Sequence, residues 1–403
     1  MTIKQRPRLA PEFIHPEAYR ITERLQREGF ETYLVGGCVR DLLSGIQPKD
    51  YDIATYASPK QVKKFISDAY IIGKRFRLVL VKRGSDLFEV ATFRRDATDE
   101  EMSQIDEDDK TSGDNVFGTP QEDALRRDFT LNGLFYDPVK DELKDYCHGL
   151  KDIKSHTLRM IGDPVTRLQE DPIRILRALR LSHRLDFKIE SSLRESMKTY
   201  AHTLKKSVLP RRREEILKIM RLQDPSNTLM EAHDLHILEH VFPSLDKIYL
   251  NPEQLNEFNM YIKKISTFVI DIDNPAEVFA YLMLAYYRST VDPDPFKKVF
   301  ASDILKHEDL KQIMTMELGM YNVEQSLFAK ALEFQHRLKK LDQDSHQNEA
   351  IPLAIMMAKA DHVLSSEKMH EWERVLEKIV PKAHAPYRKK RRTRRPRNFQ
   401  NKR

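Results

Sequence analysis

Asp50 and Asp52 lie one residue apart and follow a double glycine, Gly36-Gly37, within the stretch YLVGGCVRDLLSGIQPKDYDIAT. Tyr33-Leu34-Val35 reads as a buried strand. The glycines then make a turn with no side chains to keep a ligand from the backbone. Val39 to Ser44 reads as a helix, so the turn aims N–H groups and the positive end of a helix dipole at an anion such as phosphate. Tyr51 to Thr55 reads as a second strand. Side chains two apart on a strand share a face, so both carboxylates can grip the same divalent ions. A phosphate-binding turn and a metal-binding pair, in this order and joined by Arg40-Asp41, are what phosphoryl transfer to a nucleotide needs. A βαβ-like turn followed by a polar loop is the plain structural alternative.

Further residues extend the pattern. Glu89 interrupts the otherwise apolar run LFEVATF. A buried carboxylate without a partner is costly, so Glu89 requires a metal nearby or an ion pair with Arg77 or Arg94. Arg40 suits bidentate contact with phosphate, with Asp41 orienting it. Arg126 to Asn132, RRDFTLN, reads as a capped helix start with Asp128 as the cap and Phe129 and Leu131 in the core. In Glu170-Asp171-Pro172-Ile173-Arg174, proline after aspartate is an ordinary helix start, yet Asp171 and Arg174 stand three apart on one face. In PRRREEILKIM (210–220), Arg211 and Glu215 are spaced as a pair four apart, which an exposed ion pair also satisfies.

These groups need elements to hold them. The pattern predicts a helix from Pro16 to Gly29 and another from Pro59 to Asp68, with Ser58 as its cap. It predicts strands at Tyr70–Ile72, Phe76–Lys82 and Phe88–Phe93, the last two joined at Gly84-Ser85-Asp86. Residues 96–114 hold nine acids against one lysine and read as a mobile loop, either a flap beside the site or an inert insertion. From Arg126 onward the sequence reads as helices punctuated by prolines. At 403 residues the chain implies several domains. No apolar run reaches membrane-spanning length, the N-terminus lacks the apolar core of a secretory signal, and Cys38 and Cys147 give no disulfide framework. A cytoplasmic setting is expected. The net charge of +6 is concentrated in RKKRRTRRPRNFQNKR (388–403), with ten Lys or Arg and no acid. Such a tail does not fold alone and can neutralise RNA phosphates.

GGCVRD, KDYDIAT, RRDFTLN and EDPIRILRALR occur in the order found in the class II nucleotidyltransferases of the polymerase-beta superfamily, and residues 25–245 resemble that family of bacterial poly(A) polymerases and tRNA CCA-adding enzymes. The resemblance implies an α+β fold: a small mixed-sheet catalytic (palm) domain over 1–150, followed by an all-α neck, body and tail. The neck would read the base over 151–245 and the body and tail would bind RNA over 246–385, leaving a disordered basic tail at 386–403. It implies two Mg2+ ions held by Asp50 and Asp52, with Glu89 completing the carboxylate set, and in-line attack by an RNA 3′-hydroxyl on the α-phosphate of ATP. Gly36, Gly37, Arg40, Arg127, Asp128 and Asn132 would contact ribose and triphosphate. Asp171 and Arg174 would read the base. A carboxylate accepting from an exocyclic amine and a guanidinium donating to the neighbouring ring nitrogen fit adenine and cytosine but oppose guanine and uracil. Arg211 and Glu215 would brace that site. Lys74, Arg75, Arg388, Lys389, Lys390, Arg391, Arg392, Arg394 and Arg395 are the candidate RNA contacts.

Ile71 to Val81, IIGKRFRLVLV, resembles the poly(A) polymerase version of its segment, with a departure at Leu80. The expected activity is therefore addition of AMP from ATP to RNA 3′ ends. Addition of CCA to tRNA is the alternative within the family, and a non-catalytic RNA-binding adaptor is the alternative outside it.

Overall fold

The computed structural model describes residues 3–5, 13–73, 78–98, 116–269, 271–339 and 348–379. The chain divides into two units, residues 1–246 and 247–403.

The first unit is built on an eight-stranded mixed sheet. Its strands are β1 (Ile3–Gln5), β2 (Thr32–Val35), β3 (Asp52–Thr55), β4 (Ala69–Ile72), β5 (Leu78–Arg83), β6 (Asp86–Thr92), β9 (Leu134–Asp137) and β10 (Glu142–Asp145). A separate pair joins β7 (Arg94–Arg95) to β8 (Val116–Phe117). The sheet order is β1-β10-β9-β2-β3-β6-β5-β4, with β3 and β6 parallel and every other pair antiparallel. The pairing of Arg83 with Asp86 leaves Gly84-Ser85 as a two-residue turn, and Gly84 takes φ +62°.

Helix starts follow local chemistry. α1 (Pro16–Arg27) opens where the His15 ring accepts from the Glu17 N–H. α2 (Gly37–Leu43) follows β2 directly. α3 (Pro59–Phe65) has a reciprocal cap between Ser58 and Gln61. It ends before the expected Asp68, which takes φ +50° at the entry to β4. α4 (Pro120–Leu125) repeats the device with Thr119 and Glu122.

The expectation of helices from Arg126 onward is corrected by β9 and β10, a hairpin that completes the sheet. β9 is buried along its whole length. Periodicity cannot separate so short an apolar run from a piece of buried helix. Beyond the hairpin lie α5 (Gly149–Lys154), α6 (Pro164–Glu170), α7 (Ile173–Leu185), α8 (Ser191–Tyr200) and α9 (Leu209–Met220). Prolines stand in the first turn of α6 and α9, where a missing N–H costs nothing.

The second unit is helical wherever it has regular structure among the described residues. Its helix Pro275–Thr290 is buried on nearly every side. At its heart Arg288 donates to Asp361 at 2.7 Å, both side chains being fully buried. Asp361 also accepts from Tyr261 and Gln335, so this buried charge is fully partnered. No described helix is long and apolar enough to cross a membrane.

Candidate active site

Register builds the site. Val35 pairs with Phe135 on one side and Asp52 on the other, Asp52 pairs with Glu89, and Glu89 with Leu80. Directly opposed residues share a face, so Phe135, Val35, Asp52, Glu89 and Leu80 form one row. Tyr33, Val35, Ala54, Phe93, Ala124 and Phe135 make an apolar cluster on this face, and the Arg127 guanidinium lies over the Phe135 ring at 5.2 Å. The two acids of the row, Asp52 and Glu89, follow directly on its apolar pair, Phe135 and Val35.

Gly36 turns the chain at that junction with φ +69° and ψ −126°. A Cβ there would meet Arg127 Nη1 at 2.8 Å, with Asp52 Oδ2 at 3.7 Å. The missing side chain therefore leaves room for a guanidinium and a carboxylate to converge on the turn. Gly37 differs. It is the first residue of α2, and a Cβ on it would meet only the Arg40 guanidinium at an ordinary 3.6 Å. The turn itself demands only Gly36.

Asp52 is held in a costly environment. Burial and the charges of Glu89 and Asp50 push its carboxyl up to about 6, against a smaller downward pull from Arg127 and Arg40. Asp50 is not on the strand, contrary to the shared-face argument. β2 ends at Val35, whose partner is Asp52, and Gly36 then turns away. Asp50 thus has no ladder partner and sits exposed in the bend before β3, still close enough for its charge to act on Asp52. The argument from burial also fails for Glu89. The alternation of β6 buries Phe88 and Val90 and leaves Glu89 exposed, and among the described residues Glu89 forms no ion pair with Arg94 or any other cation.

No three His, Cys, Asp or Glu among the described residues converge into a ready metal cage. The donors fit magnesium nonetheless, because that ion is commonly held by one or two carboxylates together with substrate phosphates. Mutual repulsion at Asp52 is the strain a divalent cation relieves.

Around this point runs a closed set of charged contacts. Arg40 is 4% exposed and spends its donors inside the protein, on Asp41 Oδ1 from Nε and Nη2 and on Asn132 Oδ1 from Nη1 at 2.8 Å. In this arrangement it shapes the turn and does not face a phosphate. Asn132 donates to Asp128 Oδ1, which also caps the Phe129 N–H. Asp128 Oδ2 receives Arg177, and Asp41 Oδ2 receives Arg184. Arg127 is steadied by Asp123 at 2.9 Å. Of the motif's polar groups, Arg127 is the one aimed at the glycine turn.

The neck residues pair differently from the spacing argument. Asp171 does not cap α7, and its side chain is gripped by both Nη atoms of Arg211 at 2.9 and 2.8 Å. Arg174 donates to Glu170 and to the Arg167 carbonyl. Glu215 is buried and taken by Arg180 at 2.7 Å, not by Arg211. Arg211 and Glu215 share a helix, but each pairs elsewhere, Arg211 with Asp171 just before α7 and Glu215 with Arg180 on it. Lys74 and Arg75, like Arg388 to Arg395, lie outside the described residues.

The residues missed from sequence are Arg177, Arg180 and Arg184. With Arg174 they recur every three or four positions along α7, opposite its apolar stripe, and they reach Asp128, Glu215 and Asp41. That periodicity was the available signal: a helix facing water has no need to aim arginines at the carboxylates of three separate motifs.

A mixed sheet with carboxylates beside a glycine turn, followed by helices, defines a nucleotidyltransferase fold. The Poly A polymerase head domain matches residues 32–159, and the probable RNA- and SrmB-binding site of polymerase A matches residues 186–249. Poly(A) polymerase I of Haemophilus influenzae is 41% identical over 249 residues, covering 61% of this chain and 55% of that protein. The CCA-adding enzyme of Ligilactobacillus salivarius is 32% identical over 243 residues, covering 60% and 58%. The chain thus spans about half the length of the curated relatives it matches. The crystal structure of the Bacillus stearothermophilus CCA-adding enzyme with CTP superposes with a TM-score of 0.65 at 20% identity, over 91% of this chain and 84% of that one. The chain is thus similar both to bacterial poly(A) polymerases and to CCA-adding enzymes.

Proposed function

We propose that the chain adds AMP from ATP to the 3′ ends of RNA without a template. The observation that carries this reading is the convergence of Asp52 and Arg127 on Gly36, with Glu89 in register beside Asp52. The higher identity to a poly(A) polymerase, 41% against 32% to a CCA-adding enzyme, supports AMP as the product.

Each side chain has a task that its position allows. Arg127 contacts the triphosphate at the turn, where the absent Cβ lets phosphate approach the backbone. Asp52 and Asp50 would hold magnesium, with Glu89 alongside, and the ions would supply charge neutralisation at the attacking and leaving oxygens. Asp128 and Asn132 position the ribose-facing backbone of 128–132. The Arg211–Asp171 fork holds a carboxylate oriented in the neck. Opening that fork frees the acceptor for the amine of adenine, with Arg174 donating beside it.

An RNA oligonucleotide of arbitrary sequence and a tRNA trimmed at its 3′ end, each given the four NTPs singly, test the reading. Long A-only extension of the oligonucleotide is the expected result. Short additions of C and A confined to tRNA would assign the sister activity. RNA binding without any incorporation would leave an adaptor.

A further inference from the structure

The second unit presents aromatic rings to solvent with cations laid across them. Phe296 is 61% exposed and Phe300 45%. The Lys339 ammonium sits 5.3 Å from the Phe296 ring centre and that of Lys298 4.7 Å from Phe300. Arg337 lies over the half-buried Phe334 at 5.4 Å. One helix end gathers these pairs. The helix Asn322–Arg337 carries Phe334 and Arg337, and Lys339 follows its C-cap, Leu338. Glu333 on the same helix accepts from the Ala301 N–H at 2.9 Å, which holds the 296–301 segment against it.

Apolar burial does not explain the exposed rings. Val299, between them, is the residue that turns inward. The segment is well anchored, since the Phe296 N–H is held by Asp294, and Lys297 pairs with Asp292 at 3.1 Å. Nearby acid is already engaged, Glu333 by Arg337 and Asp292 by Lys297. Lys298 and Lys339 form no ion pair among the described residues. Exposed flat rings beside uncommitted cations are what unpaired bases and their phosphates require.

We propose that Phe296 and Phe300 form a stacking platform for single-stranded RNA, with Lys298 and Lys339 taking its phosphates. This rests on the reading that the chain handles RNA and assigns the second unit a site for it. Base stacking is tolerant of sequence because every base has a π-face, which suits RNA ends of varied sequence. In the free protein the ammonium groups occupy the ring faces, and a base displaces them toward the backbone phosphates.

The test uses the full chain without NTP and a fluorescently labelled, unstructured RNA, read by anisotropy across a salt series. Replacing both rings (Phe296→Ala with Phe300→Ala) should weaken binding by about tenfold or more while leaving the salt slope unchanged. Phe296→Trp with Phe300→Trp should preserve affinity. Lys298→Ala with Lys339→Ala should lower the slope of log K against log salt by about 0.7 for each lysine. An unchanged melting temperature is expected for these surface changes, and it identifies any loss as local. Wild-type affinity in the alanine double variant overturns the platform, as does an equal loss in the tryptophan variant. Incorporation on the same RNA is scored separately. Failure to extend it, with platform-dependent binding intact, sinks the proposed activity and leaves this inference standing.

Discussion

Asp52 and Asp128 are both set into the first unit, and their surroundings treat them in opposite ways. Asp128 is raised by burial, but Arg177, Asn132 and the Phe129 N–H together outweigh burial and leave its carboxyl below the ordinary range. Asp52 is also raised by burial, and its strongest neighbouring charge, Glu89, raises it further. One carboxylate is completed by the protein and the other is left for something the chain does not contain. A sequence selected only to fold would have given Asp52 a cation as good as Arg177. The contrast separates scaffold from chemistry within a few residues of the same turn.

Exchanging each carboxylate for its amide tests that contrast most severely. Asp52→Asn should lower nucleotide incorporation at least about a thousandfold, as loss of a metal-binding charge does. Its melting temperature in chelator should stay level or rise, because a poorly partnered charge is gone. Asp128→Asn should cost about 1–3 kcal/mol, since Arg177 keeps a partner of the right shape without the right charge. Primer extension and thermal denaturation on the pair read both effects. A stability loss at Asp52 as large as that at Asp128 would end the distinction.

The double glycine sharpens the comparison in its backbone form. Gly36→Ala forces a side chain into a positive φ and onto Arg127 Nη1. It should cost about 1–3 kcal/mol and reduce activity by displacing Arg127. Gly37→Ala meets only ordinary contact and should be nearly silent in both assays. Similar losses at the two positions would mean that the whole turn, not Gly36, receives the triphosphate.

A smaller effect is expected in the neck. Asp171→Ala removes the acceptor and should relax preference for ATP and CTP over GTP and UTP by about tenfold. Little change in melting temperature should follow, because the Arg211 fork is half-exposed and worth little to stability. Unaltered base preference in single-nucleotide assays would make Asp171 and Arg211 a brace only.

The sequence made some of this visible and hid the rest for physical reasons. Ser58 and Pro59 announce α3 because capping is local. The strand holding Asp52 could be seen from its apolar run. Its starting point could not, because that depends on where β2 stops, and β2 stops at Gly36. Glu89 looked buried because LFEVATF reads as continuous, and only the alternation within a paired sheet exposes it. Guanidinium chemistry beside the glycine turn points Arg40 at substrate, and spacing points Arg211 at Glu215. Asp41 beside Arg40 is within reach of a local reading, but the distant partners Asn132 and Asp171 are 92 and 40 residues away, beyond what any short-range pattern can report.

A pH-dependent effect follows from protons at Asp52. Its carboxyl titrates near about 6 in the folded protein against 3.8 for an ordinary aspartate. The folded state therefore holds this proton more tightly than the unfolded state does, and stability falls as pH rises between those values. The loss is bounded at ~3 kcal/mol. Magnesium competes with that proton. Thermal denaturation should show no stabilisation by magnesium below pH ~5 and a clear one above pH ~7, where Asp52 is ionised. Asp52→Asn should erase both the pH slope over that interval and the response to magnesium, while Asp128→Asn keeps both. Equal stabilisation by magnesium at the two pH values would place the ion on other ligands, and the poorly partnered charge at Asp52 would then require a different explanation.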